Sequence, residues 1–293
     1  MKSEFGYSTN LGRIMPIVLL VILSACILID LGQAEDNPGM DDQILLEPAY
    51  QAREYLNRGV KAFTNQQYSN AVEYFEKSME LAPGMEEPRM YLATAYMLQF
   101  VPGSPDPGNI QMAENAIKTF SEIVDLSEEK GNPNINAMLA IASIRYQMKD
   151  MEQTKDWCNR VLKVKAITDD ANRLKAEAHY RIAVVLFDYI HERTGVLGER
   201  VENMEPQGKL QILSTIEEGL SHLDEAIKLR PDYYDAMMYQ NLLWRELGKL
   251  VDDETYKLEV IRRADTTYAK AVELKLKAEH EATTKRKQIG SER

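Results

Sequence analysis

The sequence predicts an all-α chain built as a solenoid of about five helical hairpins, and three observations predict it. Strong helix formers (Ala, Leu, Glu, Lys and Met) dominate, while Gly (15) and Pro (11) are sparse over 293 residues. A triplet of a small residue, a large one four positions on and a small or aliphatic one three further on recurs along the body. It reads Ala71, Phe75, Ser78; then Ala116, Phe120, Ile123; more weakly Thr154, Cys158, Val161; then Gly219, Leu223, Ala226; and Ala264, Tyr268, Ala271. Such offsets lie on one helical face, where the small residues let a neighbouring helix approach and the large one fills the gap beside it. Finally, Pro83 and Pro231 follow apolar helix ends, Met79-Glu80-Leu81 and Ile227-Lys228-Leu229, where a proline stops a helix.

Residues 1–33 precede this body. Lys2 and Arg13 come before an apolar run from Ile14 to Ile29, broken only by Ser24, and a basic start followed by an apolar run is an export or membrane signal. The run is slightly shorter than the roughly 20 residues that span a bilayer comfortably. Leu23-Ser24-Ala25-Cys26 resembles a bacterial lipobox, and that resemblance makes Cys26 a candidate lipidation site. Gly32-Gln33-Ala34 offers a second reading, a conventional cleavage site after Ala34, and a retained anchor is the third. All three place the body on the periplasmic side of a bacterial cell envelope, membrane-anchored or secreted. Residues 34–47, rich in Asp, Gly and Pro, read as a flexible tether.

The repeat region runs over residues 48–274. Each triplet follows a helix with a small or short residue at its packing point: Gly59, Ala93, Ala142, Ala183 and, less clearly, Asn241. Units are expected at about 52–85, 86–130, 135–168, 176–233 and 234–274. The two packing points are closest together in the first and third units and further apart in the others, so extra residues are expected at three hairpin turns. These fall around Val101–Gly108, Gly195–Lys209 and Gly248–Glu254, the last also lengthening both helices. Insertions at a solenoid edge can carry specificity. Residues 275–293 read as a charged helix capping the array, with contact to anionic lipid or an acidic partner as the alternative.

Composition and motifs narrow the function classes. A net charge of −11 makes nucleic acid a poor partner, because phosphate contacts need clustered Lys and Arg. The four histidines (His179, His191, His222 and His280) form no metal-ligand spacing in sequence with one another or with Cys. His179 and His222 read as packing or surface residues, and Cys158 as a buried small hydrophobe. No Gly-rich phosphate loop or nucleophile–base arrangement stands out. A non-enzyme without metal or cofactor is the expectation.

Tyr55, Gly59, Tyr68, Ala71, Phe75 and Pro83 resemble the tetratricopeptide repeat family, whose unit is a helix–turn–helix of 34 residues. The resemblance is specific in the first unit and degenerate in the third and fifth. It implies a right-handed superhelical solenoid in which the first helices line a concave groove for a partner peptide or helix. Carried over by position, that groove shows Phe63, Met90, Tyr91, Met97, Tyr146, Tyr180, Arg181, Phe187, Met238, Tyr239 and Arg245. The set is aromatic and Met-rich with few Lys, which suits an apolar or mixed protein segment. A protein–protein interaction scaffold in the envelope is therefore expected. The alternatives are a subunit that self-associates as a homo-oligomer, or an accessory subunit of an envelope enzyme or transport complex.

Overall fold

A computed structural model of the chain describes residues 47–291, which contain ten α-helices and no strand. The apolar N-terminal run, Cys26 and nearly all of the expected tether lie outside the described residues. None of the described helices is long and apolar enough to cross a membrane. The chain divides into two compact units at Lys149–Asp150.

The first unit holds α1 (Pro48–Thr64), α2 (Tyr68–Leu81), α3 (Glu87–Gln99), α4 (Pro107–Glu129) and α5 (Ile135–Gln147). Each packs on the next, and α3 also reaches α1. The α1–α2 hairpin closes through Gln66, whose φ of 60° lies in the left-handed region. Ala52, Leu56 and Gly59 of α1 bury against Ala71, Phe75 and Ser78 of α2. The Phe75 ring occupies the space beside Gly59, and a Cβ there would lie 2.6 Å from Phe75 Cδ1. Ser78, at the third triplet position, is fully buried and donates from Oγ to the Ala52 carbonyl at 2.7 Å, which ties the two helices together. Its hydroxyl is thereby satisfied in an apolar seam.

In the second hairpin Asp106 caps α4, accepting from Asn109 N at 2.9 Å, with Pro107 at the first helical position. Asn109 holds the preceding loop: its Oδ1 accepts from Val101 N at 2.6 Å, and its Nδ2 donates to the Val101 and Ser104 carbonyls. The early cap has a consequence. Ala116 is the tenth residue of α4, whereas Ala71 is the fourth of α2. Most of the extra length in this unit is thus helix, and only 100–106 is loop.

The second unit holds α6 (Met151–Lys163), α7 (Asp169–Thr194), α8 (Pro206–Leu229), α9 (Tyr234–Leu250) and α10 (Glu254–Ser291). Again each helix packs on the next, and α9 also touches α7. Thr154, Cys158 and Val161 are buried on α6, as are Gly219, Leu223 and Ala226 on α8. A Cβ on Gly219 would lie 2.7 Å from Leu243 Cδ1, so the small residue admits α9.

Three expectations are corrected. First, α7 begins at Asp169 rather than at 176, because Thr168 caps it by accepting from Ala171 N at 3.1 Å. Second, Tyr268 is 46% exposed although Ala264 and Ala271 are buried, so the last triplet keeps its small residues but not its filler. Third, Ile123 is only half-buried and Val124 takes the fully buried place. The insertion around 248–254 lengthens both flanking helices as expected: only 251–253 lie outside helices, and Gly248 is buried within α9. α10 runs on unbroken through Leu274.

Candidate interaction faces

In the first unit the proposed groove residues come from α1, α3 and α5. Tyr91 lies between two rings, edge-on to Phe63 at 5.7 Å and stacked on Phe75 at 5.3 Å, measured between centroids. Phe63 also meets Tyr68 edge-on at 5.5 Å. Phe63, Met90 and Tyr91 are half-buried, so their rings and thioether serve the hairpin packing with one side while offering surface with the other. Met97 is buried at 7% exposure. Tyr146 is half-buried, with Lys149 Nζ 5.9 Å from its ring centroid.

In the second unit an aromatic ladder joins α7 to α9. Tyr180 packs on Tyr233 at 5.2 Å and edge-on to Tyr239 at 5.4 Å. Phe187 meets Tyr239 edge-on at 5.5 Å and stacks on His191 at 5.3 Å. Phe187, Met238, Tyr239 and Arg245 are half-buried, whereas Tyr180 and Arg181 are buried. Arg245 is held by Asn241 Oδ1 at 2.9 Å and by Asp265 Oδ1 at 2.6 Å. Burial, with Asp188 and Asp235 nearby, pushes the Tyr239 phenol up to about 12. Burial likewise raises Tyr180 well above its ordinary value and the Cys158 thiol to about 12. These groups stay neutral at physiological pH. They can donate hydrogen bonds but do not supply an anionic nucleophile.

Two polar clusters were not apparent from sequence. Glu246 on α9 is buried and accepts from Thr194 Oγ1 at 2.6 Å and from Lys249 Nζ at 2.7 Å, with His191 Nδ1 2.8 Å away. Lys249 also donates to the Gly195 carbonyl at 2.8 Å, which pins the 195–205 segment to α9. The second cluster is His179 against His222, 43 positions apart in the chain. The Glu246–Lys249 spacing of three was the sole local signal for either. Among the described residues no group of three or more His, Cys, Asp or Glu could hold a metal ion.

The family model described as tetratricopeptide repeat matches residues 52–85, the α1–α2 hairpin. No curated protein matches significantly in sequence. Among solved structures, one titled as the crystal structure of MamA protein is 15% identical, covering 78% of this chain and 93% of its own, at a TM-score of 0.50. A MamA RS-1 double mutant is 13% identical, covering 78% and 96%, also at 0.50. YrrB, titled as a TPR protein with an unusual peptide-binding site, is 12% identical, covering 82% and 99%, at 0.47. At such identities the likeness concerns the fold. The chain thus has the all-α architecture of tetratricopeptide-repeat solenoids, with residues 52–85 as its family-matched repeat.

Proposed function

We propose that this chain is a non-catalytic protein–protein interaction scaffold held in a bacterial cell envelope, taking partner segments on the faces of its first helices. The observation that carries the reading is the α7–α9 face. There Phe187 and Tyr239 form an edge-to-face pair, half-buried and flanked by His191, Met238 and Arg245. Aromatic, Met and Arg side chains on a pre-organised surface are the residue types that dominate binding energy.

The test is photo-crosslinking in native membranes from position 187 or 239, against exposed Glu217 on α8 as control. A discrete partner is expected from 187 and 239 only. Phe187→Ala combined with Tyr239→Ala, checked for helicity, is expected to weaken capture by at least about tenfold, as loss of an interface anchor does. Equal capture by the double variant would sink the reading.

The envelope part rests on the apolar run and Cys26. Intact mass of the native protein distinguishes its three forms: a chain starting at a lipid-bearing Cys26, one starting at Glu35, and an uncleaved chain. The lipidated form is expected. A mass without lipid would end that assignment.

A further inference from the structure

One side of α10 is uncovered, and the earlier hairpins show what covers such a side elsewhere. Phe75, the filler of α2, has no exposure, and Tyr91 of the next first helix stacks on it. Gly219 of α8 is closed over by Leu243 of α9. Tyr268, the equivalent filler of α10, is exposed. Beside it Leu258, Ala269, Val272 and Leu276 follow one another at offsets of eleven, three and four, which is one helical face. That face is turned away from the buried Val260, Ala264 and Ala271, and it leaves Leu258 71% and Leu276 60% exposed. The two ends of the helix carry opposite charge. Asp252, Asp253 and Glu254 are exposed at its start, and Lys285, Arg286 and Lys287 are exposed near its end.

We propose that α10 pairs antiparallel with α10 of a second copy of this chain, along the strip from Leu258 to Leu276, in a symmetric dimer. Charge selects the direction. An antiparallel partner sets the acidic start of one helix against the basic end of the other, whereas a parallel partner sets like against like. One register lays Ala269 of each copy on Val272 of the other, with the two-fold axis between them and the small Ala269 admitting the partner helix. The same register sets Glu254 opposite Lys287 and Arg262 opposite Glu279, and lays Leu276 between Leu258 and Ala269 of the other copy. Head-to-tail stacking on α1 is disfavoured. There the place of Tyr91 is taken by Asn57, between exposed Arg53 and Lys61, so α1 closes its end of the array with a polar face. The pairing runs along about 50 Å of helix, at about 1.5 Å per residue. It takes in residues 276–288, all of them exposed in the single chain. A lone helix pair lies at the low end of interface size, so the dimer is expected to dissociate at about 1–100 μM.

The test uses the full chain in mild detergent, sedimented at concentrations spanning that range. A reversible monomer–dimer equilibrium is expected. Leu258→Asp combined with Leu276→Asp, checked for helicity, should weaken the dimer by at least about tenfold, as loss of interface anchors does. Lys287→Glu should weaken it by a few-fold, and Glu254→Lys in the same chain should restore it. A photo-crosslinking residue at position 287 should join the region of Glu254, which within one copy lies about 50 Å away along the helix. Partner capture from positions 187 and 239 should be unchanged in the double aspartate variant, so the dimer and the α7–α9 face fail or stand separately. A chain that stays monomeric, a dimer indifferent to the aspartate pair, or crosslinks from 287 to 287 would overturn the proposal. Crosslinks from 287 to lipid or to another protein alone would overturn it as well, and would give α10 to that surface instead.

Discussion

Replacing Arg181 with Ala is expected to destabilise the chain by about 3–5 kcal/mol, the usual cost of leaving a buried charge without its partner. Arg181 is 5% exposed, and its Nη2 lies 2.9 Å from Glu177 Oε1, one turn earlier on α7. The other Glu177 oxygen accepts from the Tyr233 hydroxyl. Truncation at 181 leaves the carboxylate with the phenol alone, in a site walled by Tyr180, Tyr233 and Cys158. Removing both charges should cost far less, because an apolar pair of similar volume avoids the desolvation that the ion pair must overcome. Denaturant unfolding of Arg181→Ala and of Arg181→Met with Glu177→Gln checks this. A loss below about 1 kcal/mol for the single variant, typical of an exposed pair, would contradict the burial argument.

Phe75→Ala is expected to cost a similar amount, about 3–5 kcal/mol, through loss of buried area and the cavity left behind. The ring has no exposure, fills the slot beside Gly59 and stacks on Tyr91. The same slot makes Gly59 specific. Gly59→Ala gains helix propensity yet places a methyl 2.6 Å from Phe75 Cδ1, so overpacking should dominate and cost about 1–3 kcal/mol. Shrinking the ring beside it, as Gly59→Ala with Phe75→Leu, should recover part of the loss and appear as coupling between the two sites. Strict additivity in thermal or urea unfolding would mean that the two residues do not share the slot.

The Gly59–Phe75 contact was legible because both partners obey a short-range rule: small and large residues at fixed helical offsets. The same rule found buried residues on α2, α6 and α8. It failed at Tyr268 because α10 is the last described helix and no further helix covers that side of it. In the second unit sequence also placed extra residues in a turn where the chain instead extends a helix. The Pro- and Gly-rich stretch after Val101 looked like a long loop, but Asp106 and Pro107 start α4 within it. Of the groove residues, the family resemblance could name Tyr180 and Arg181 by position but could not tell that they turn inward. That depends on Tyr233 and on the angle between α7 and α9. The polar clusters were invisible for a related reason: Thr194 meets Glu246 across 52 positions, and only the lengths of α7, α8 and the connecting segment determine that meeting.

α10 spans 38 residues against 17 for its partner α9, and every residue from Leu276 to Gln288 is exposed. Contacts along that stretch include Lys275 with Glu279 at 4.0 Å, and Thr283 and Thr284 donating to carbonyls one turn back. The packed first half supplies the nucleus that an isolated peptide of this length would struggle to form. Beyond it the described helix rests on its own backbone hydrogen bonds rather than on burial. Its helicity then varies smoothly with temperature and ionic strength, while the body beneath it melts cooperatively.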